Sequence, residues 1–391
     1  MNYGSIPHVE KPNSRSGAAN EAYGRLVRRC RGLLSPVTQY SAHIVSVGRA
    51  FPPHHYAQEE LVAAFVDHWG QHFHNPRRLD EIHRNVLVGS RYLALPVEEY
   101  LKLNSFDEAN AAYRRVATDV GEAAVRDALE RAGLGPKDVD HIFFVSVTGV
   151  ATPSIDARLV NRLGFRPDVK RTPIFGLGCV AGAAGTARAA DYLHGHPDEV
   201  AVLLSVELCS LTLQRRDLSM ANVISAGLFG DGAAAVVLTG RDHPLRGPRV
   251  LDSRATFYPD TEHVMGWDIG ADGFRVVLSP DVPTMARENL GRDVERFLAQ
   301  YHLQVSDIDV WINHTGGPKV LHAVADALEL PEGALDRSWK SLREVGNVSS
   351  TSVLLVLGDA LAEPAAGSRA LMFAMGPGFC SELVLIDWVV S

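Results

Sequence analysis

From His43 onward, hydrophobic and polar positions follow two different periods along the chain. Runs of apolar residues such as HIFFVSVTG (141–149) predict buried strands, and apolar residues at helical spacing from Asp107 to Ala132 predict a long helix. Strands and helices alternate throughout, which indicates an α/β fold. The same signals predict strands at 43–52, 200–206, 233–238, 309–313, 370–375 and 383–386 and one ending at Phe175, with helices at 57–69, 78–86 and after Cys179.

Residues 1–41 lack this periodicity. They are polar, punctuated by Gly, Ser and Pro, and rich in Arg near positions 25–31. This composition predicts a flexible N-terminal extension. The opening MNYGSIPHVEKPNSRSG contains no apolar signal core, and no apolar run approaches the ~18 residues that a membrane span requires. We therefore expect a cytoplasmic protein without stable membrane insertion.

Two segments of the sequence each resemble a segment later in the chain, and the two later segments come in the same order as the first two. AGLGPKDVDHIFFVSVTG (132–149) resembles HLQVSDIDVWINHTG (302–316), and GCVAGAAGTARAADYL (178–193) aligns without a gap on GNVSSTSVLLVLGDAL (346–361). Repeats in a common order indicate duplicated halves. The alternative is chance similarity between two helices rich in small residues. Duplication would make both Gly-X-Val helix starts face one pseudo-twofold axis, where a single active site could be shared.

The matched helix starts carry different polar residues, Cys179 in an N-terminal half (42–245) and Asn347 in a C-terminal half (246–391). Cys179 lies in FGLGCVAGAAG after a hydrophobic strand, where the dipole and free N–H groups of a helix favour a thiolate. An ordinary buried cysteine is the alternative, but the glycine-rich turn and the matched position favour a nucleophile. Asn347 is a residue type preferred at helix N-caps. As a catalytic group, its amide would donate a hydrogen bond to a developing oxyanion.

His314 ends the predicted strand VWIN and begins HTGGPKVL, so it projects from a strand tip beside a Gly-Gly turn. Most of the sixteen histidines need no function, but this one lies where the duplicate segment VTG (147–149) also ends. A neutral imidazole at this point would accept the thiol proton, and the resulting imidazolium would stabilise the thiolate.

The overall charge and the cysteine spacing exclude several classes of partner. A net charge of -8 provides no basic face for nucleic acid or for an anionic membrane. The four cysteines are far apart and lack CxxC spacing, so the sequence predicts neither a zinc site nor a disulfide framework. Reduced thiols fit a cytosolic protein.

Five motifs together resemble the chalcone synthase family: GCVAGA around Cys179, NHTGGPKVL around His314, EVGNVSSTS around Asn347, LFGDGAAAVVL (228–238) and MGPGFCSELVLIDW (375–388). This resemblance implies a homodimeric type III polyketide synthase with the five-layered αβαβα thiolase-like fold. It implies a Cys-His-Asn triad at the three named positions and the substrates acyl-CoA and malonyl-CoA. It also implies that the enzyme needs neither a metal nor another cofactor.

The resemblance, which runs from about residue 42 to the C-terminus, also implies which side chains contact substrate. Phe229 in LFGDG is the expected gatekeeper between the CoA tunnel and the cavity, and GFRVVLSPDVP offers Phe274 or Val276 as a second one. Thr152 occupies the place of a methionine that crosses the dimer interface in plant members. Small residues stand at four substrate-contacting positions, Thr152, Cys209, Thr212 and Ser349.

The basic cluster that binds CoA in plant members does not align cleanly. Arg77, Arg78 and Arg84 are the local candidates. A solvated helix face explains the same three residues equally well.

VELCSLTLQ (206–214) and SRYLALPVEEY (90–100) are more similar to bacterial alkylresorcinol and alkylpyrone synthases, which accept long fatty acyl starters. We therefore expect a long-chain acyl group to be loaded on Cys179, extended by decarboxylative Claisen condensation with malonyl-CoA, and cyclised to an alkylresorcinol or alkylpyrone. A ketoacyl synthase III-type enzyme, which stops after one condensation, and a non-catalytic thiolase-fold partner subunit are the alternatives. HTGGP and GPGF argue against the first, and the retained Cys, His and Asn argue against the second.

Overall fold

The computed structural model describes residues 42–69, 76–363 and 368–388, so the extension predicted for residues 1–41 lies outside the described residues. The helices are α1 (Gln58–Trp69), α2 (Pro76–Arg84), α3 (Val97–Tyr100), α4 (Phe106–Ala132), α5 (Ile155–Leu163), α6 (Ala181–Gly195), α7 (Met220–Leu228), α8 (Val282–Leu298), α9 (Pro318–Ala327), α10 (Asp336–Val345) and α11 (Ser350–Ala362). The strands are β1 (Ala42–Ala50), β2 (His54–Ala57), β3 (Ser90–Leu93), β4 (His141–Val145), β5 (Lys170–Ile174), β6 (Val200–Leu208), β7 (Asp231–Thr239), β8 (Arg249–Phe257), β9 (Met265–Gly270), β10 (Gly273–Leu278), β11 (Val310–Asn313), β12 (Arg369–Gly376) and β13 (Cys380–Asp387).

The predicted strands and helices are present with small shifts at their ends, but the sequence did not predict β2, β3, β8, β9 and β10. Strands β2 and β3 have only four residues each, and β8, β9 and β10 are partly buried, with apolar stretches interrupted by charged residues or glycine. Neither strict alternation nor a continuous apolar run marks such strands, and these are the two patterns that reveal a strand in sequence.

One sheet joins the two halves in the order β11-β12-β13-β8-β1-β7-β6-β4-β5. Its centre is the short pairing of β1 with β8, which matches Ala42 with Val250 and His43 with Arg249. The order β1-β7-β6-β4 on one side corresponds to β8-β13-β12-β11 on the other. The β5 strand has no equivalent among the described residues of the C-terminal half. This topology confirms a fold built from two duplicated halves.

The repeated Asp-containing segments form the same hydrogen bonds in both halves. In the first half, Asp140 N donates to Val200 O (2.9 Å) and the Asp140 carboxylate accepts from Val200 N (2.8 Å). In the second half, Asp309 N donates to Arg369 O (2.9 Å) and the Asp309 carboxylate accepts from Arg369 N (2.9 Å). Each aspartate therefore aligns a parallel pair of strands, β4 with β6 and β11 with β12.

Alternate residues of each strand face different layers of helices. In β4, Phe143 and Val145 pack with the central helices α6 and α11, whereas Ile142 and Phe144 pack with α4 and α5 on the outer face. Strand β12 alternates in the same way between the central helices and the outer pair α8 and α9. The resulting stack of helix, sheet, helix, sheet and helix layers confirms the predicted αβαβα arrangement.

The two central helices approach each other very closely at Gly182. A Cβ atom added there would lie 2.2 Å from Ser350 O and 2.5 Å from Val353 Cγ1. Only glycine fits at such a backbone contact. The small residues of AGAAG in α6 thus allow the two equivalent helices to meet along the pseudo-twofold axis.

A buried carboxyl group joins the N-terminal half to the start of α11. Glu207 on β6 accepts hydrogen bonds from Val147 N (3.1 Å), from Thr148 Oγ1 (2.9 Å) and from Ser350 Oγ. Burial raises the pKa of Glu207 to about 7, because desolvation of the carboxylate outweighs the hydrogen bonds that lower this pKa.

We expect Glu207 to make the protein less stable as pH rises. The folded state holds a proton on Glu207 up to a pKa of about 7, whereas the unfolded chain releases it near 4.5. The stabilisation is fully present below pH 4.5 and is lost as pH rises through about 7, by up to roughly 3 kcal/mol for one group. Glu207→Gln, which is neutral at every pH, should flatten this dependence. Denaturant unfolding of both proteins between pH 5 and pH 8 measures it, and parallel pH profiles would contradict the assignment.

Candidate active site

The turn that carries Cys179 is held by the C-terminal half. Residues Gly178–Val180 form one 3-10 turn between β5 and α6, so Cys179 precedes the helix instead of lying in its first turn. Gly178 has a φ of 57°, and a Cβ atom there would lie 2.5 Å from the ring of Pro377. Glycine is therefore required both by the backbone angle and by this contact.

Cys179 is partly accessible, as a nucleophile must be, and its Sγ lies 3.5 Å from Ser349 Oγ. Burial raises the pKa of Cys179 to about 11; the hydrogen bond with Ser349 lowers this pKa, and the negative charge of Glu207 raises it. The sequence analysis predicted thiolate character at this position from the helix start and from proton transfer to His314. Desolvation outweighs that effect here, so formation of a thiolate requires a proton acceptor nearby.

His314 follows β11 and is buried, with its backbone N donating to Phe373 O at 3.2 Å. Burial lowers the pKa of His314 to about 4, so the imidazole is neutral near pH 7. Its Nδ1 atom has no hydrogen-bond partner among the described residues. The adjacent Thr315 Oγ1 donates to Gly346 O at 3.5 Å, which joins the His314 segment to the residue before Asn347.

Asn347 lies three residues before α11, so it is not the N-cap of this helix. Its backbone N donates to Leu228 O (2.9 Å), and it forms an isolated parallel bridge with Phe229. Its side-chain Oδ1 accepts from Ser349 N at 2.9 Å. The hydrogen bonds formed by the described residues leave Asn347 Nδ2 available as a donor.

Ser349 connects the two matched positions through a strained backbone. Its φ of 46° and ψ of -127° are unfavourable for any residue with a Cβ atom. The bonds that hold it are the Ser349 N–Asn347 Oδ1 hydrogen bond and the Ser349 Oγ–Cys179 Sγ contact. Cys179 and Asn347, which occupy matched positions in the aligned segments, therefore both contact the same residue, Ser349, in the folded protein.

A cavity of about 350 Å³ is lined by the predicted substrate positions Phe229, Cys209 and Thr212, and Phe229 forms the bridge with Asn347. Burial raises the pKa of Cys209, and the charges of Glu207, Asp231 and Cys179 raise it further. The cavity also has polar lining residues, among them Arg91, Tyr100, Ser210, Asn222 and Ser225.

Three predicted substrate positions, Ser349, Phe274 and Thr152, are not among the residues that line this cavity, and Ser349 lies beside Cys179 instead. Phe274 is buried against Phe106 and Trp267, whereas Val276, the alternative for the second gatekeeper, lines the cavity. Val276 therefore fits the position of a second gatekeeper better than Phe274, which lies nearer the end of the hairpin, under Phe106, and the gatekeeper role itself stays a prediction. Thr152 is exposed on a loop, so a single chain does not bring it to the cavity.

The candidates for CoA binding are only partly described. Helix α2 contains Arg77 and Arg78, but their side chains lie outside the described residues. The Arg84 side chain is exposed and forms an ion pair with Asp80, with Nε and Oδ2 2.8 Å apart. It lines a second cavity of about 340 Å³ together with Arg343. The role of these arginines stays a prediction.

The polar residues on the cavity wall were missed as functional residues. Arg91 and Tyr100 lie in SRYLALPVEEY, and Ser210 lies in VELCSLTLQ. Both segments marked the resemblance to bacterial enzymes, but nothing in their spacing indicates that they meet at one cavity. Within the described part of the chain, no group of His, Cys, Asp or Glu side chains is arranged to hold a metal ion. The helices described here include none that is long and apolar enough to cross a membrane.

Two family models match the chain: the chalcone and stilbene synthase N-terminal domain over residues 34–242 and the corresponding C-terminal domain over residues 250–390. A 1,3,6,8-tetrahydroxynaphthalene synthase from Streptomyces peucetius subsp. caesius is 52% identical over 369 residues, 91% of this chain and 98% of the relative. A putative chalcone synthase from Bacillus subtilis strain 168 is 38% identical over 361 residues, 89% of this chain and 99% of the relative.

The solved structures include a similar bacterial type III polyketide synthase, the 1,3,6,8-tetrahydroxynaphthalene synthase from Streptomyces coelicolor A3(2). It superposes with a TM-score of 0.84 at 31% identity and covers 89% of this chain and 100% of its own. The family uses acyl-CoA and malonyl-CoA as substrates and needs no cofactor. With matches in both halves and a relative at 52% identity, this chain belongs to the chalcone and stilbene synthase family and is a type III polyketide synthase.

Proposed function

We propose that this enzyme condenses malonyl-CoA units into a linear poly-β-ketone and closes that chain to a fused polyphenol of the tetrahydroxynaphthalene type. The observation that carries this proposal is the polar lining of the cavity beside the nucleophile, which includes Arg91, Tyr100, Ser210, Asn222 and Ser225. A chain with an oxygen on every second carbon needs such hydrogen-bond partners when it leaves water. The 52% identity to a tetrahydroxynaphthalene synthase supports the same product class.

Loading begins with two groups that burial holds in their neutral forms. The pKa of Cys179 is raised to about 11 and that of His314 is lowered to about 4. Transfer of the thiol proton to the imidazole creates both charges together, and each charge then stabilises the other in a low dielectric. The thiolate attacks the thioester carbon of an acyl-CoA, CoA leaves, and the acyl group remains on sulfur.

Extension requires donors for a developing oxyanion. When a malonyl thioester loses CO2, the electron pair of the broken C–C bond forms an enolate, with negative charge on the thioester oxygen. Asn347 Nδ2 and an N–H of His314 are the donors that we assign to this oxygen. The enolate carbon then attacks the acyl group on Cys179, and repetition lengthens the chain.

A long-chain acyl starter is the second candidate. The observation that favours it is the apolar part of the same cavity, formed by Leu61, Phe65, Leu93, Val97 and Leu213. An alkyl tail packed on these residues would lead to an alkylresorcinol or alkylpyrone product.

We also propose that the enzyme is a homodimer that pairs through the β5 side of the sheet. Strand β5 is the edge strand of the N-terminal half, and its exposed backbone would otherwise remain unpaired. The neighbouring Phe175 side chain is 53% exposed. Dimerisation at this edge would cover it and would bring the exposed Thr152 loop toward the partner's cavity, as the family resemblance implies.

A charge placed at this edge should weaken the dimer. Phe175→Lys is expected to shift the molecular mass in solution from dimer toward monomer, because a lysine there would be desolvated on association. Ile269→Lys, which changes a residue of similar exposure (50%) on the β9–β10 hairpin, is the control. Analytical ultracentrifugation measures both variants. A Phe175→Lys protein that remains as dimeric as the control would exclude this edge as the interface.

The two thiols near the cavity should respond very differently to substitution. Cys179→Ala should lower turnover at least about a thousandfold, since the loaded acyl group has no other attachment point. Cys209→Ala should retain measurable turnover, because Cys209 only lines the cavity. Acylation of intact protein by mass spectrometry, together with CoA release, measures both. Normal acylation of the Cys179→Ala variant would disprove the assignment of the nucleophile.

The choice of starter can be measured directly. With malonyl-CoA as the only substrate, we expect a tetrahydroxynaphthalene-type product and no gain when fatty acyl-CoAs are added. If the enzyme instead takes a long-chain acyl starter, kcat/KM should rise roughly fourfold for each added methylene until the cavity is full. This factor corresponds to about 0.8 kcal/mol of free energy for burying each methylene. Cys209→Phe should then abolish that rise by filling the cavity. Product identification across acyl-CoAs of increasing length separates the two candidates.

A further inference from the structure

Three side chains, of which Tyr100 and Asp231 are buried and Ser210 is half-buried, form a continuous chain of hydrogen bonds on the cavity wall. The hydroxyl groups of Tyr100 and Ser210 lie 2.6 Å apart, and Ser210 Oγ bonds in turn to Asp231 Oδ2. Tyr100 and Ser210 both line the cavity, whereas Asp231 lies fully buried behind them on β7. This series, Tyr100–Ser210–Asp231, runs from the cavity to a carboxylate that solvent does not reach. It is not part of the Cys179, His314 and Asn347 site.

The direction of each hydrogen bond follows from the number of protons available. Ser210 has one hydroxyl proton, which the Asp231 carboxylate accepts, so the Tyr100 hydroxyl must donate to Ser210 Oγ. Leu95 N donates to Tyr100 Oη at 3.2 Å. The Tyr100 oxygen therefore has one lone pair left for a group in the cavity. All the protons in this series point toward Asp231, which is the direction needed to remove a proton from the cavity.

The charges around the series support the same direction. Arg91 is buried and lines the same cavity. Burial lowers the pKa of Arg91 to about 10, and the negative charge of Asp231 partly opposes this shift. Its Nη2 atom has no hydrogen-bond partner among the described residues. If Asp231 accepted a proton, the positive charge of Arg91 would lose its counter-charge and would stabilise new negative charge in the cavity.

We propose that Tyr100, Ser210 and Asp231 form a proton relay that removes a methylene proton from the bound poly-β-ketone and thereby directs its closure to an aromatic ring. This proposal rests on the proposed function, because it requires a poly-β-ketone in the cavity. The cavity is also lined by Phe229, which forms a bridge with Asn347, and Asn347 and Cys179 both contact Ser349. A chain attached to Cys179 can therefore extend past Phe229 toward Tyr100.

The proposed step conserves protons and electrons. A methylene group between two ketones transfers a proton to Tyr100 Oη, Tyr100 transfers its phenolic proton to Ser210 Oγ, and Ser210 transfers its proton to Asp231 Oδ2. The electron pair of the broken C–H bond forms an enolate near Arg91, and the enolate carbon attacks a ketone carbon elsewhere on the same chain. The proton then returns along the same path to the alkoxide that forms, which restores the Asp231 carboxylate.

A purely structural role is the simplest alternative. Asp231 also accepts from Ala94 N (2.6 Å) and from Ser210 N (2.8 Å), and these bonds join the segment after β3 to the turn after β6. The Tyr100 hydroxyl contributes to neither of these bonds. Tyr100→Phe therefore removes the entry to the relay and leaves the backbone contacts of Asp231 in place.

The test is the ratio of products formed from malonyl-CoA by the full-length enzyme. A poly-β-ketone that is not directed to aldol closure cyclises by lactonisation, which needs no carbon base. In Tyr100→Phe and Ser210→Ala we expect CoA release to continue while the ratio of aromatic product to lactone falls at least about tenfold, the low end of a general base contribution. Ser210→Thr, which retains a hydroxyl group, should restore most of the aromatic product.

Tyr56→Phe is the matched control, since Tyr56 Oη accepts from Val97 N at 3.3 Å and does not line the cavity. An unchanged product ratio in both relay variants would overturn the proposal, and so would a parallel decrease of all products with a lowered unfolding temperature. Failure of the wild-type enzyme to release CoA from malonyl-CoA would instead contradict the proposed function. The two failures are therefore distinguishable.

Discussion

The contact of α6 with α11 at Gly182 is the constraint on which the rest of the molecule depends. Because the backbones of these two helices nearly touch, the residues that precede them, Cys179 and Asn347, are brought to one place. The same contact buries the start of α11 against β6, where Ser350 donates to Glu207. Substitution of a larger residue at Gly182 would therefore separate catalytic positions as well as layers.

Burial of Cys179 and His314 away from water is the second consequence of this packing, and it determines the protonation states of their side chains. The Cys179 thiol and the His314 imidazole are both neutral, because burial opposes charge on either one. In the loading step that we propose, the site is unreactive until a proton passes from Cys179 to His314, and it then contains two opposite charges with little water to screen them. Ser349, strained and bonded to both sides, maintains the spacing that this exchange requires.

Most of the fold was predictable from sequence, and so was the proximity of Cys179 and Asn347, because the two halves retain similar residues at equivalent positions. Asp140 and Asp309 are spaced identically before their strands, and Cys179 and Asn347 occupy matched positions in aligned segments. The second gatekeeper was not predictable, since Phe274 and Val276 lie on the same face of β10 and only packing against Phe106 separates them. Tyr100 and Ser210 were missed because they are distant in sequence and meet only in the folded chain.

The contact between Gly178 and Pro377 has a consequence for the synthesis of this protein. The turn that carries the nucleophile rests on a loop close to the end of the chain, and β13, which follows that loop, pairs with β8 and β12. A nascent chain that has emerged from the ribosome only through its first half has the cysteine but lacks the imidazole, the amide and the supporting proline ring. The turn around Cys179 therefore gains its supporting contact only after Pro377 has been translated, 198 residues later in the chain, so that a product truncated before that point carries a cysteine without this support.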